Sequence, residues 1–404
     1  MTDIKLARRV TNIRVSPSTA AAQKARDLKA EGRDILDLTV GEPDFDTPDS
    51  IKEVGTDAIR SGETKYTPVN GTIALRNAIQ HDFGTRLGIE FGHDSISVGG
   101  GGKQIIFVAL MATVEEGDEV IIPAPYWVSY PDMVIANGGT PVIVSCGEDA
   151  GFKLTPDALE AAITPNTLWL ILNTPSNPTG AAYTPDELVA LGEVLLSHPQ
   201  VFVLCDEIYD RIWFADFAVK SIVSVVPGFL DRTLVVNGVS KSYAMTGWRI
   251  GYGVGPVKLI GAINKLQSQM SSCPSSISQA AAAAALTGDQ SSIEASVAVY
   301  KKRRNRAVEL INAIPELQCR VPDGAFYLFP SCAGVIGKTT PEGKVIENDL
   351  DFVLYLLETE GVASVHGGAY GLEPYFRIST ATSMEIIEAA CARLAKACAA
   401  LTQG

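Results

Sequence analysis

Leu234-Val-Val-Asn-Gly-Val-Ser-Lys-Ser-Tyr-Ala-Met-Thr-Gly-Trp-Arg249 is the stretch from which the rest of the chain can be read. Leu234 to Val236 is a short β-branched run of the kind that forms a buried strand. Asn237-Gly238 is a turn signal, and beyond it come Ser240, Lys241 and, eight residues later, Arg249. In an α/β pattern a lysine just past a strand stands where ligands bind, outside the carboxyl ends of the strands. In dry, cationic surroundings its pKa falls, and it can then form a Schiff base with an aldehyde. Arg249 offers a bidentate hold on a phosphate. Taken alone, a lysine and an arginine flanking a turn are more often plain surface residues, so the neighbouring sequence has to decide.

Outward from this stretch, strand-like runs alternate with helical patterns. The runs are Ser95–Val98, Val120–Ile122, Val142–Val144, Leu168–Leu172, Val201–Cys205 and Leu234–Val236. Helices are expected at Lys103–Thr113, Pro156–Ala162, Pro185–Leu196 and Val257–Gln269, with Thr155 and Thr184 as N-caps before prolines. This alternation predicts an α/β fold with a mostly parallel sheet covered by helices. From Ile293 the pattern changes to α+β: a long basic amphipathic helix over Ser292–Ile314, a strand at Phe326–Phe329, a helix at Asp349–Glu360, a strand at Tyr375–Ser379 and a closing helix from Ser383. A helix at Thr19–Glu31 and a strand at Ile35–Leu38 open the chain. The expected division is an N-terminal segment, residues 1–48, packing with a small C-terminal domain, residues 293–404, and a large domain over residues 49–292.

With 404 residues the chain exceeds one ordinary core, and 46% hydrophobic with 20% charged residues is globular. A net charge of −13 argues against nucleic acid or an anionic membrane as partner, so any bound anion must be held by a few placed cations. The seven cysteines are scattered without a C-x-x-C, and the four histidines lack metal-ligand spacing. Reduced thiols, no metal and a cytoplasmic location are expected. The N-terminus lacks the apolar core of a signal peptide, and no run would span a bilayer.

Several strand-end loops carry chemistry. Gly99-Gly-Gly-Gly-Lys103 follows a strand and opens a helix, which makes an anion site of free amides. It is neither a Walker A loop nor a Rossmann fingerprint, since Gln104 stands where each needs another residue. Asn173-Thr-Pro-Ser-Asn-Pro-Thr-Gly180 is a rigid loop, open to a cis X-Pro bond, in which Asn177 could present its amide to a ring hydroxyl. In Cys205-Asp-Glu-Ile-Tyr-Asp210, Asp206 leaves a buried strand, so its carboxylate needs a cation: a protonated heterocyclic nitrogen or an arginine. Tyr209 lies one helical turn on. Tyr126-Trp127 offers rings to a planar cofactor or to the core beneath a loop. Arg377, in Phe376-Arg-Ile-Ser379, is costly inside an apolar strand unless paired; recognition of a carboxylate is the functional reading. Gly41, in Val40-Gly-Glu-Pro-Asp-Phe-Asp-Thr-Pro48, permits close backbone approach.

Together these motifs, in order and along essentially the whole chain, resemble the class I, fold type I pyridoxal-phosphate aminotransferases. Within them they look like the bacterial 1b-type aspartate aminotransferases. The resemblance implies transfer of an amino group between an L-amino acid, aspartate first, and 2-oxoglutarate, with pyridoxal 5′-phosphate as cofactor. It implies that Lys241 bonds the cofactor and shuttles the substrate proton, and that Asp206 keeps the ring nitrogen protonated. Asn177 and Tyr209 would bond the ring oxygen, and Trp127 would stack on the ring. Ser240, Arg249 and amides of Gly101, Gly102 and Lys103 would hold the phosphate. Arg377 and Asn177 would take the substrate α-carboxylate, with Gly41 and Trp127 lining that pocket. Tyr66, in Lys65-Tyr-Thr67, would reach the phosphate of a neighbouring subunit, which implies a homodimer with shared sites. There are departures. Gly238 stands where many relatives carry Ser or Ala beside the phosphate. Gln267–Gln279 contains no arginine for a second substrate carboxylate, which leaves Arg14, in Ile13-Arg-Val-Ser-Pro-Ser18, and Lys103 as its cations. An aromatic, alanine or prephenate aminotransferase and a lyase share Lys241 and stay open. A cofactor-sensing regulator would need a DNA-binding domain that Met1–Thr39 is too short to supply.

Overall fold

The computed structural model describes residues 4–15 and 17–403; Ser16, in the Arg14 segment, lies outside them. After a helical turn at Arg8–Thr11 and a helix at Pro17–Ala30 comes β1 (Leu36–Asp37). The large sheet is built from β2 (Ile96–Gly99), β3 (Glu119–Ala124), β4 (Thr140–Ser145), β5 (Thr167–Asn173), β6 (Phe202–Asp206), β7 (Thr233–Gly238) and β8 (Gly251–Val254). Then follow β9 (Tyr327–Leu328), β10 (Val362–Ala363), β11 (Val365–His366) and β12 (Phe376–Ser379).

The seven strands lie in the order β2-β8-β7-β6-β5-β3-β4, and only β8 runs antiparallel to its neighbours. β5, β6 and β7 are almost wholly buried, as expected for parallel strands covered on both faces. One face buries Ile105, Val108, Ala109 and Leu110 of the helix Gly102–Thr113 with Ile260 and Ile263 of the helix Val257–Met270. The other buries Leu188, Leu191 and Leu195 of the helix Pro185–Leu196. Each such leucine removed from water contributes about 1.5–3 kcal/mol.

Local chemistry fixes the helix ends. Thr184 accepts from the Glu187 amide while Glu187 reaches back, a capping box with Pro185 in the first turn. Thr155, Asn348 and Ser383 cap the helices Pro156–Ala162, Asp349–Glu360 and Met384–Ala399 by accepting from the amides of Ala158, Asp351 and Ile386.

At the C-terminal end, β9, β11 and β12 form an antiparallel sheet, with Phe352, Leu356, Phe376 and Leu394 in one core. The opening segment joins this part of the chain: β1 pairs with β10, Leu36 opposite Val362 and Asp37 opposite Ala363.

The expected turn at Asn237-Gly238 is not there. β7 continues through Gly238 because β8, which sequence reading missed, pairs with it at Asn237↔Tyr252 and Gly238↔Gly251. β8 reads Gly-Tyr-Gly-Val and has little strand character of its own, but its glycines have a purpose. Gly99, Gly251 and Gly238 stand side by side across three strands. A Cβ on Gly251 would come within 2.1 Å of the Gly102 nitrogen, and one on Gly238 within 2.9 Å of the Ile250 carbonyl oxygen. Only bare backbone lets the start of the helix Gly102–Thr113 settle onto this sheet edge. Gly238 is crowded by β8 itself, through the Ile250 carbonyl oxygen and the Gly251 backbone.

Candidate active site

Five loops meet at one edge of the large sheet. They follow the carboxyl ends of β2, β3, β5, β6 and β7, and β8 begins at the same edge. Between them and the Arg377 strand lies a cavity of about 550 Å³. Its walls include Gly41, Gly101, Gly102, Lys103, Trp127, Asn177, Asp206, Tyr209, Ser240, Lys241, Arg249 and Arg377, so most of the residues singled out from sequence come together. Two do not. Tyr66 is 89% exposed and lies outside the cavity. Arg14 is also outside its lining: it is exposed, with its backbone N–H donating to Asp132 Oδ1 at 3.2 Å.

Lys241 lies three residues past β7. Its Nζ donates to the Gly41 carbonyl oxygen at 2.5 Å, which ties the opening segment to the sheet edge. Desolvation holds the ammonium down to about 8; Arg377 and Arg249 act in the same direction, while Glu42 and Asp206 oppose it. A lysine so placed has an appreciable neutral fraction near neutral pH and can act as a nucleophile or base.

Asp206, the last residue of β6, is buried. Its Oδ2 accepts from the Tyr130 hydroxyl at 2.8 Å, and its Oδ1 from the Ile208 amide at 3.3 Å. Burial pushes this carboxyl up to about 6, against the pull of those donors and of Lys241. The turn after Asp206 is clamped from behind. Asp210 accepts from Asn237 Nδ2 at 2.7 Å and pairs with Arg86 at 2.8 Å, while Arg211 pairs with Asp82. Breaking one partner of such a buried set costs about 3–5 kcal/mol, so the Asp206–Tyr209 turn is held rigidly.

Tyr209 and Tyr327 share a hydrogen bond between hydroxyls 3.0 Å apart, and burial pushes the Tyr209 hydroxyl well above its ordinary range. Arg377, only 3% exposed, stacks over the Tyr327 ring at 4.5 Å. It donates through Nη1 to Asn177 Oδ1 at 3.0 Å and through Nη2 to the Thr39 carbonyl oxygen at 2.7 Å. Arginine is only a donor, so the Asn177 amide oxygen must face it, which leaves the Asn177 NH2 group for another acceptor. The Nε of Arg377 is buried with no partner among the described residues.

On the opposite wall, the helix Gly102–Thr113 points its N-terminus at the cavity, with Gly101 in a left-handed conformation ahead of it. Its first amides have no acceptor within the helix, and its dipole favours an anion. Arg249 arches over this point, donating to the carbonyl oxygens of Gly100 and Thr246, both at 3.0 Å. Lys103 lies 4.7 Å above the Trp127 ring, and desolvation and the nearby Arg249 lower its pKa. The Thr174–Pro175 bond in the Asn177 loop is cis.

Sequence reading missed Tyr130, Tyr327, Thr246, Asn173 and Arg26, all of which line the cavity. Tyr130 had a usable signal: it stands three residues after Trp127, on the same side of a helical turn. Thr246 and Asn173 stand inside stretches already quoted, beside Arg249 and Asn177, whereas Tyr327 and Arg26 become visible only when distant parts of the chain are brought together.

The chain as a whole has counterparts among known proteins. The class I and II aminotransferase family pattern matches residues 33–394. The chain belongs to that family. A relative named probable aspartate/prephenate aminotransferase, from Rhizobium leguminosarum bv. phaseoli, is 54% identical over 98% of this chain and 99% of its own. The crystal structure of the aspartate aminotransferase from Rhizobium meliloti superposes with a TM-score of 0.97 at 50% identity, covering 99% of this chain and all of that one. The aspartate aminotransferase from Thermus thermophilus, solved with maleate, gives 0.90 at 36% identity over 98% of this chain and all of its own. The protein is an aminotransferase of the α/β fold these relatives share. No helix among the described residues is long and apolar enough to cross a membrane.

Proposed function

We propose that this aminotransferase uses pyridoxal 5′-phosphate to exchange an amino group between aspartate and 2-oxoglutarate. The observation that carries the reading is one cavity in which Asp206, Lys241 and the Arg249-covered helix N-terminus face inward together. The donor set fits that cofactor. A buried carboxylate held only by neutral donors suits a protonated ring nitrogen. A helix N-terminus with Arg249 and Ser240 suits a phosphate dianion, and a lysine held down to about 8 suits an aldehyde.

Lys241 would hold the cofactor covalently, Asp206 its ring nitrogen, and Tyr209 with the Asn177 NH2 group its ring oxygen. Trp127 would cover the ring face, while Ser240, Arg249 and the amides of Gly101, Gly102 and Lys103 would take the phosphate. When bound, the cofactor supplies an electron sink for the charge left as the substrate loses its α-proton. The chain's own residues do the rest. Arg377 orients the substrate through its α-carboxylate, which gives the buried Nε an acceptor. Lys241 Nζ, freed when the substrate's amino group takes its place, would take the proton from the substrate Cα as general base and deliver it on the same face two bonds away as general acid, the 1,3-shift that amino transfer requires. Lys103 meets a second carboxylate at the cavity wall, and Arg14 stands as an outer cation whose charge reaches the Tyr126 hydroxyl. Tyr66, exposed and outside the lining of its own cavity, would serve that of a second copy in a homodimer.

Two measurements test this reading. Borohydride reduction of the loaded enzyme followed by peptide mapping should place the pyridoxyl group on Lys241; recovery on Lys103 or Lys65 overturns the assignment. A panel of aspartate, phenylalanine, alanine and prephenate should show aspartate turned over fastest. Prephenate belongs in it because the 54% identical relative carries both activities in its name. No transfer from aspartate to 2-oxoglutarate overturns the substrate reading.

A further inference from the structure

Tyr130 is fully buried, 1% exposed, and its hydroxyl donates to Asp206 Oδ2 at 2.8 Å. Its ring meets Trp127 edge-on, 5.2 Å between centroids at 85°. One side chain therefore touches both the residue assigned to the cofactor's ring nitrogen and the residue assigned to its ring face. Tyr130 starts the short helix Tyr130–Ala136, on a loop after β3, while Asp206 ends β6. The contact spans 76 positions of sequence and is the only side-chain donor Asp206 has among the described residues. Burial raises the tyrosine's own pKa well above its ordinary range, so the hydroxyl stays a donor at any working pH.

We propose that Tyr130 is a positioning residue for the aminotransferase reaction: its hydroxyl keeps Asp206 ionised and aimed at the cofactor's ring nitrogen while its ring braces Trp127. This inference rests on the cofactor reading above. Its physical basis is the environment of Asp206. Burial disfavours the carboxylate, and the hydrogen bond from Tyr130 is the foremost influence opposing that effect. A hydrogen bond to a charged group is worth roughly one to two powers of ten in an equilibrium constant. Without it, a carboxyl held at about 6 moves up through neutrality and loses its charge where the enzyme works. A neutral carboxyl no longer favours the protonated ring, and the electron sink weakens.

The test uses Tyr130→Phe, which keeps the ring and its packing and removes only the hydroxyl. Pyridoxine 5′-phosphate has the ring nitrogen and phosphate but no aldehyde, so its binding to the cofactor-free protein reports these contacts without a bond to Lys241. Fluorescence titration from pH 6 to pH 9 should show Tyr130→Phe binding about 10-fold more weakly than wild type near pH 7. The gap should close towards pH 9, where Asp206 is ionised in both proteins. In an Asp206→Ala background, Tyr130→Phe should change nothing, since the group it acts through is gone. Equal affinities near pH 7, or a deficit of the same size at every pH and in the Asp206→Ala background, overturn the proposal and leave Tyr130 a packing residue. Failure of the wild-type protein to bind the probe overturns the cofactor reading, and the inference with it.

Discussion

Replacing Arg377 with lysine keeps the charge and removes the fork, so it separates recognition of a carboxylate from mere attraction to it. Arg377 spends Nη1 on Asn177 and Nη2 on the Thr39 carbonyl, and keeps a buried Nε without a partner among the described residues. A substrate α-carboxylate that satisfies this side chain gains charge-assisted hydrogen bonds worth about 1.5–3 kcal/mol each. A lysine can supply one such bond, but not in the plane set by stacking on Tyr327. The expected loss is about 2–4 kcal/mol of transition-state stabilisation, roughly 30- to 1000-fold in kcat/KM. Every amino acid carries an α-carboxylate, so aspartate and phenylalanine should lose the same factor. The assay is kcat/KM for both donors with 2-oxoglutarate, wild type beside Arg377→Lys, with urea unfolding as a check on folding. A loss confined to aspartate would refute the reasoning, because Arg377 would then be holding the side-chain carboxylate. Unchanged kcat/KM for both would remove it from substrate binding.

Lys103→Ala should show the opposite selectivity: about 10- to 100-fold lower kcat/KM for aspartate and far less for phenylalanine, with Arg14→Ala smaller in the same sense; equal losses for both donors would assign Lys103 to phosphate binding. Mixing inactive Tyr66 and Lys241 variants should restore activity in hybrid dimers, and no recovery after verified subunit exchange would rule out shared sites. Lys241→Met should stabilise the cofactor-free protein at pH 7 by on the order of 1–3 kcal/mol, because burial penalises the Lys241 charge. That penalty is fully present below about 8 and fades as pH rises from there towards the ordinary lysine value, so the stability gap in urea should narrow by pH 10; a gap of constant size would show that the charge is not its source.

Much of the fold was legible because its signals are local. The helices Pro156–Ala162, Pro185–Leu196 and Asp349–Glu360 follow from a capping residue, a proline or acidic first turn, and apolar spacing, all within a few positions. The buried parallel strands follow from β-branched runs between polar loops. β8 was illegible for a matching reason. Gly251-Tyr-Gly-Val254 is a strand only because β2 and β7 flank it; Gly251 is set by the approach of Gly102, more than a hundred residues earlier, and Gly253 by the side chains of Ile105 and Leu234. The turn expected at Asn237-Gly238 failed through the same tertiary override: a partner strand decides whether a permissive pair turns or extends.

The candidate site divides along the same line, for a reason rooted in charge. Asp206 and Arg377 could be singled out individually, because a charged residue at the end of a buried strand or inside one is expensive and calls for a partner, whereas Lys241 and Arg249 took their weight from the motifs around them. What each is paired with could not be read, since the partners lie far away in sequence: Gly41 for Lys241 and Asn177 for Arg377, each 200 positions distant, and Tyr130 for Asp206. The register of the sheet supplies those pairings. Asn173 at the end of β5 stands opposite Asp206 at the end of β6, and its side chain spans the step, donating to the Asp206 carbonyl oxygen and accepting from the Asn177 amide. A one-residue slip between β5 and β6 would turn Asn173 to the other face and carry the Asn177 loop away from Arg377. The buried hydrophobic faces of β5 and β6 forbid that slip. The apolar core thus fixes which polar groups meet at the cavity, and the polar sequence alone could only show that they needed to meet something.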